Sequence, residues 1–135
     1  MEEKKSVYGK RRQKSTSWKP TMIRMQSMII YKFGEVVLVD FPQSGNGYRK
    51  RRPALAVLDI GDADVVMAPI TTKERSGQGD YKLIDWSSSG LLQESWVRLA
   101  KIVCLDKSDI TCRLGQFTDY DKNILATLWQ SLYTF

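Results

Sequence analysis

The chain has 135 residues, 42% hydrophobic and 27% charged, which fits one soluble domain. Its apolar runs are far shorter than the roughly 18 residues that cross a bilayer, and no secretory signal is visible, so we expect a cytoplasmic protein without a membrane partner. The sequence contains no histidine, which excludes catalytic schemes built on that residue. Cys104 and Cys112 lack metal-binding spacing and are predicted to be reduced thiols, with no metal site.

The net charge of +6 is concentrated at the N-terminus. Residues 1–28 contain eight Lys or Arg and two Glu, whereas the rest of the chain contains 13 basic and 13 acidic residues. We predict that residues 1–27 form a basic, flexible extension, in which 21–28 could make a short helix, and that 28–135 form the folded domain. A ligand of this domain must therefore be held by a local cluster of charge.

The elements after the extension are mostly strands. Apolar, β-branched segments separated by Gly, Pro and Asp predict strands at 35–41, 52–60, 65–72, 81–86, 95–106 and 112–117. Residues 43–51, with two glycines, are predicted to be a loop. After Thr118, a suitable N-cap, apolar residues at helical spacing predict an amphipathic helix near 119–133. The fold class is mainly β with a C-terminal helix, in the form of a small, highly curved barrel.

Three motifs in order carry a resemblance to a known family. They are "GEVVLVDFP" (34–42) followed by "RRPALAVL" (51–58), "APITT" (68–72), and "SWVRLAKIVCLDKSDI" (95–110). Over roughly 28–135 the chain resembles the PemK/MazF family of type II toxin–antitoxin endoribonucleases. The resemblance implies an SH3-like barrel, a homodimer, RNA cleavage without a cofactor that leaves a 2′,3′-cyclic phosphate, and inhibition by a cognate antitoxin.

The resemblance also implies three catalytic positions. Arg52, before the proline of the second strand, matches a catalytic or phosphate-binding arginine, Thr71 matches a threonine that contacts the scissile phosphate, and Arg98 matches an arginine of the same groove. An acidic residue often follows that arginine by two positions in the family, where this chain has Ala100. Some members also carry an acid or histidine in the first loop, where this chain has Gly47, Tyr48 and basic residues.

The chemistry of these residues suits phosphate. Arginine donates two parallel hydrogen bonds to phosphate oxygens and stays charged, and a threonine hydroxyl can donate another. A proton-transfer group would have to be a carboxylate, and spacing favours none of Glu35, Asp40, Glu74 and Glu94. The remaining predicted RNA-binding residues are Arg49, Lys50, Arg51, Thr72, Lys73 and Trp96, where Trp96 would either stack on a base or pack in the core.

Residues 95–105 read as one strand place Arg98 on a face with Trp96, Ala100, Ile102 and Cys104. An arginine on such an apolar face needs a partner, which is either a structural carboxylate or a ligand phosphate. The leading hypothesis is a metal-independent endoribonuclease acting on single-stranded RNA. The alternative is a non-catalytic SH3-like module that binds RNA or a protein. A DNA-binding regulator is a weaker reading, since the one clear helix carries few basic residues.

Overall fold

The computed structural model describes residues 29–42 and 49–134, with the backbone alone at Pro42 and Arg49. The predicted extension 1–27, the short helix at 21–28 and most of the 43–51 loop lie outside the described residues. The described elements are seven strands and one α-helix: β1 (Glu35–Pro42), β2 (Arg49–Leu58), β3 (Asp64–Thr71), β4 (Asp80–Lys82), β5 (Trp96–Arg98), β6 (Val103–Asp106), β7 (Ile110–Gln116) and α1 (Asp119–Leu132). No described helix is long and apolar enough to cross a membrane.

The strands form one bent antiparallel sheet. Six of them run in the order β4-β5-β3-β2-β1-β7, and β6 pairs with β3 beside β5. Within the described residues no pairing joins β4 to β7, so the barrel remains open at that seam. The prediction of a mainly β, SH3-like barrel with a C-terminal helix is confirmed.

Two predicted strand boundaries differ from the structure by three residues or more. Strand β2 begins at Arg49, three residues earlier than predicted, because 49–51 pair in register with 40–42 of β1 rather than looping away. Strand β4 ends at Lys82, although a strand was predicted to run on to residue 86. The amide groups of Ile84 and Asp85 instead donate to the carboxylate of Asp121, at 3.2 and 2.9 Å, which takes them out of the sheet.

The predicted long strand at 95–106 is broken by a 3-10 turn at Leu99–Lys101. Before the turn Trp96 faces Thr71 of β3, and after it Val103 faces Met67. The turn shifts the register of this segment against β3 by an odd number of residues. Side chains before and after the turn therefore do not alternate as they would in one continuous strand. Arg98 and Cys104 therefore lie on opposite faces, contrary to the prediction from strict alternation.

Apolar side chains are buried on both faces of the sheet. The larger cluster, toward α1, comprises Val36, Leu55, Ala68, Ile70, Leu83, Leu91, Val97, Leu99, Phe117 and Leu125. The smaller cluster, on the opposite face, comprises Tyr31, Val37, Val39, Ala54, Ala56, Val65 and Met67. Because both faces are packed, a polar side chain of a strand is exposed to solvent only where its strand extends beyond one of these clusters. The ends of β2 and β3 do so on the face of the smaller cluster.

Helix α1 is tied to the sheet by a buried carboxylate. Asp121 is fully buried and accepts a hydrogen bond from the hydroxyl of Tyr81 at 2.5 Å, in addition to the two amides described above. Thr118 caps the helix as predicted, accepting from the amide of Asp121 and donating to Asp85 at 2.7 Å. At the other end of the helix, Tyr133 donates to the carbonyl of Leu99 at 3.2 Å, which fixes the 3-10 turn against α1.

Candidate functional site

Arg52 lies near the start of β2 and Thr71 at the end of β3, each two residues beyond the last pair between these strands. The register between these strands pairs Ala54 with Pro69, and extending it by two residues places Arg52 directly across from Thr71. Facing residues in an antiparallel pair have Cα atoms about 4.5–5.5 Å apart and side chains on one face. The Arg52 side chain is exposed and Thr71 is half-buried. The sequence placed these residues 19 positions apart, and the sheet makes them neighbours.

The row continues across two further strands. Thr71 faces Trp96 of β5, and Trp96 faces Lys82 of β4. We call Arg52, Thr71, Trp96 and Lys82 the cross-strand row. It has a cation at each end and a hydroxyl near its middle.

Arg98 and Asp80 belong to the next row on the same face. They face each other across β5 and β4, and the Arg98 Nε lies 3.1 Å from Asp80 Oδ1. Arg98 is two residues beyond Trp96, so its Cβ is about 7–8 Å diagonally from that of Thr71, within reach of a long side chain. The Arg98 side chain is 28% exposed and that of Asp80 only 3%. The sheet thus brings all three predicted catalytic residues together.

Among the residues that the structure describes, the Thr71 hydroxyl has one hydrogen-bond partner. Its Oγ1 accepts a hydrogen bond from the amide of Lys73 at 3.1 Å, which leaves the hydroxyl hydrogen to be donated elsewhere. Thr72 and Lys73 are exposed just beyond the end of β3. This arrangement suits an anion located over the end of the strand.

Trp96 is not presented for stacking on a base. It is 8% exposed, and the ammonium of Lys82 lies 5.7 Å from the centre of its ring, a cation–π distance. Lys82 also pairs with Glu94 at 3.0 Å. The burial of Trp96 favours packing of its ring within the protein over stacking on an RNA base. The ring lies next to Thr71 on the neighbouring strand.

The basic run at 49–52 does not form one patch. Lys50 and Arg52 face Phe41 and Val39 of β1, whereas Arg51 lies on the other face. There its Nε contacts Asp40 Oδ1 at 3.3 Å. The side chain of Arg49 lies outside the described residues, so its predicted contact with RNA stays a prediction.

Among the described contacts, none joins Thr71 to any of the four carboxylates named as proton-transfer candidates. Glu35 is at the far end of β1, 3.2 Å from the Arg113 Nε, and Asp40 pairs with Arg51. Glu94 pairs with Lys82, and Glu74 is exposed. In the part of the chain that the structure describes, there is no cluster of at least three Cys, Asp or Glu residues that could bind a metal ion.

The sequence matches the profile of a known protein family. The profile of the PemK-like, MazF-like toxins of type II toxin–antitoxin systems matches residues 32–132, three quarters of the chain. The chain belongs to this toxin family. The match spans all seven strands and the whole of α1, so it includes the cross-strand row. No curated protein matches the sequence significantly.

Solved structures with the same fold include endoribonucleases and MazF proteins. An endoribonuclease from a mycobacterial species is 23% identical, with 77% of this chain and 91% of that one covered and a TM-score of 0.61. A mycobacterial endoribonuclease in complex with its cognate antitoxin is 23% identical, with coverage of 75% and 92% and a TM-score of 0.60. MazF from Deinococcus radiodurans is 19% identical, with coverage of 79% and 99% and a TM-score of 0.61. At these identities the likeness establishes the fold.

Sequence reasoning missed two residues of this surface, Asp80 and Lys82. Both lie in the short strand β4, whose first residue was assigned to the preceding loop. The spacing of Asp80 from Lys82 places both on one face if β4 is a strand, and this was the only signal available. Their contact with Arg98 and Trp96 depends on the pairing of β4 with β5, which the sequence does not reveal.

Proposed function

We propose that this chain is a metal-independent endoribonuclease that cleaves single-stranded RNA and acts as the toxin of a type II toxin–antitoxin pair. The observation that carries the proposal is the convergence of Arg52, Thr71 and Arg98 on one face of the sheet, although they lie in three different strands. Two guanidinium groups and a hydroxyl form a cradle of donors for one phosphodiester.

The reaction would use the 2′-hydroxyl of the RNA as its nucleophile. Attack on the neighbouring phosphorus, with loss of the 2′-hydroxyl proton to water, forms the cyclic phosphate. It expels the 5′-oxygen of the next nucleotide, which takes a proton from water to leave as a 5′-hydroxyl, through a transition state that carries extra negative charge. Arg52 and Arg98 would neutralise this charge, and the Thr71 hydroxyl would donate to a phosphate oxygen. Positioning of the phosphate on rigid strands would supply a further part of the rate.

The neighbouring basic residues would guide the RNA. Lys50 shares the face of Arg52, and Lys73 is exposed beyond Thr71, so both would attract the RNA backbone by charge. Arg49 is proposed for the same role. Arg51, on the other face and paired with Asp40, would contribute less. Preference for a particular RNA sequence would then come from surfaces other than the one formed by Arg52, Thr71 and Arg98.

The proposal extends to partners and location. The similar mycobacterial endoribonuclease was solved in complex with its cognate antitoxin, and we propose a cognate antitoxin for this chain as well. By family resemblance we also propose a homodimer acting in the cytoplasm.

The test is a cleavage assay of the purified protein on a long RNA, with EDTA present. We expect discrete fragments from single-stranded regions that carry a 5′-hydroxyl and a 2′,3′-cyclic phosphate, and no cleavage of a matched duplex. Thr71→Val, which keeps the shape but removes the hydroxyl, should lose most of this activity. A requirement for a divalent metal would refute the mechanism.

The alternative is a non-catalytic RNA-binding or protein-binding module of the same fold. Ala100, in place of the acid that often follows the family's arginine, is the feature that favours it. A wild-type protein that binds single-stranded RNA but leaves it intact, under conditions in which a known nuclease cuts it, would establish this alternative.

A further inference from the structure

Asp80 makes an interaction that its position in the sequence does not suggest. Its carboxylate is 3% exposed and accepts two hydrogen bonds, one from the Arg98 Nε at 3.1 Å and one from the amide of Gly77 at 2.9 Å. It therefore touches both the loop that follows β3 and the arginine of β5. No residue near Asp80 in the sequence carried a predicted role.

The contact with Asp80 uses one edge of the Arg98 guanidinium. The hydrogen bond that the structure describes for Arg98 is donated by Nε and by neither terminal nitrogen. A guanidinium held at Nε presents those two nitrogens as a fork, which is the geometry that binds two phosphate oxygens. The fork lies on the face that also bears Thr71.

The surroundings of Asp80 fix its place. Gly79, which is buried, has a φ of +88°, and a Cβ there would lie 2.7 Å from the Cβ of Ala100. The Gly79 carbonyl accepts from the amide of Leu99 at 2.9 Å. The start of β4 is thus held against the 3-10 turn, and the carboxylate is aimed at Arg98 from rigid backbone. Ala100 brings no acid to this arginine, so the neighbouring strand provides one.

We propose that Asp80 is a positioning residue that orients the Arg98 guanidinium toward the phosphate bound at Thr71. The proposal rests on the proposed nuclease function. A free arginine side chain samples many rotamers, and each misplaced rotamer removes a donor from the transition state. The buried carboxylate restricts Arg98 to one arrangement before RNA arrives. Asp80 would act on the rate of the reaction rather than on the binding of RNA.

The decisive variant is Asp80→Asn. The asparagine carbonyl still accepts from Gly77, but its amide group then faces the Arg98 Nε–H, so that contact is lost while the loop stays held. We expect kcat for RNA cleavage to fall roughly 10- to 100-fold, as for a small misplacement of a catalytic group, with little change in KM. The full-length protein is used, and circular dichroism confirms that each variant is folded at the assay temperature.

A matched control is available at Glu35. Its carboxylate likewise accepts from a backbone amide, that of Lys32 at 2.8 Å, and from an arginine, Arg113 Nε at 3.2 Å. Glu35→Gln makes the same chemical change at the far end of β1 and should leave kcat unchanged. An equal fall in both variants would overturn the proposal, because it would point to a general loss of charge.

A second step separates positioning from structural support. If Asp80 acts through Arg98, then Asp80→Asn should have no further effect on the cleavage rate of a protein that already carries Arg98→Met. An undiminished effect in that background would overturn the proposal. Asp80→Glu keeps the charge but moves it by one methylene group, so it should also lower kcat. This variant replaces Asp80→Asn in the test if Asp80→Asn does not fold. A fully active Asp80→Glu would count against the proposal.

The two hypotheses fail in different ways. If the wild-type protein does not cut RNA, the proposed function fails and the role of Asp80 fails with it. If the wild type cuts RNA and Asp80→Asn cuts it at the same rate, the proposed function stands and the assignment of Asp80 is overturned.

Discussion

Arg51 and Arg52 offer a sharp test because they are adjacent in the chain but lie on opposite faces of β2. Each would be replaced by methionine, so that both variants lose one positive charge from the same segment. Arg52 lies on the face of the sheet that bears Thr71, whereas Arg51 contacts Asp40 at 3.3 Å on the other face. A general electrostatic role predicts equal effects, and a phosphate clamp predicts unequal ones.

The expected magnitudes follow from these positions. Arg52→Met removes one preorganised donor to the transition state, which costs roughly 10²- to 10³-fold in kcat, or about 2.7–4 kcal/mol. Arg51→Met breaks an ion pair whose side chains are 64% and 36% exposed, so stability should fall by less than about 1 kcal/mol. Its effect on cleavage should stay within a few-fold.

The assay measures kcat and KM on one single-stranded RNA at two salt concentrations, with urea denaturation of each variant. Both variants should make the dependence of RNA affinity on salt shallower by up to about one phosphate contact. A loss of kcat in Arg51→Met as large as in Arg52→Met would refute the clamp. So would an Arg52→Met variant that cuts RNA at the wild-type rate.

Three further predictions concern stability. Deleting residues 1–27 should leave the melting temperature unchanged and weaken RNA binding at low salt, and a large fall in melting temperature would place the segment in the core. Burial raises the pKa of Asp59, but hydrogen bonds from two amides and the ammonium of Lys107, 3.0 Å away, outweigh this and hold it below its usual value. Its stabilising contribution should therefore be present above about pH 4, the pKa of the unfolded chain, and be lost as the pH falls through the lower folded pKa. Asp59→Asn should abolish this pH dependence in denaturation curves and lower the stability near neutrality, because the buried ammonium of Lys107 loses its contact with a charged carboxylate. Gly90→Ala should cost at least about 2 kcal/mol by the same measurement, because Gly90 has a φ of +91° and a Cβ there would collide with the Leu114 carbonyl, and a variant of wild-type stability would contradict this.

Local chemistry in the sequence determined most of the elements. Apolar runs rich in β-branched residues and bounded by Gly, Pro or Asp predicted β1, β2 and β3 to within a few residues, because such side chains suit a pleated, half-buried surface. The last strand was predicted at 112–117, close to β7. The capping threonine and the spacing of apolar residues predicted α1 for the same reason. The motifs around Arg52, Thr71 and Arg98 were also readable in the sequence.

The tertiary structure alone decided how these residues meet. Sequence alternation treated 95–106 as one strand, but the 3-10 turn at 99–101 breaks it, since Leu99 is buried in the larger cluster and the end of α1 holds its carbonyl. The partner of Arg98 was foreseen only as a carboxylate or a phosphate. Asp80 became that partner through the pairing of β4 with β5, and strand pairing joins residues distant in the chain, which a local pattern does not encode. For the same reason the sequence showed four adjacent basic residues, and only the register of β1 with β2 separated Arg52 from Arg51.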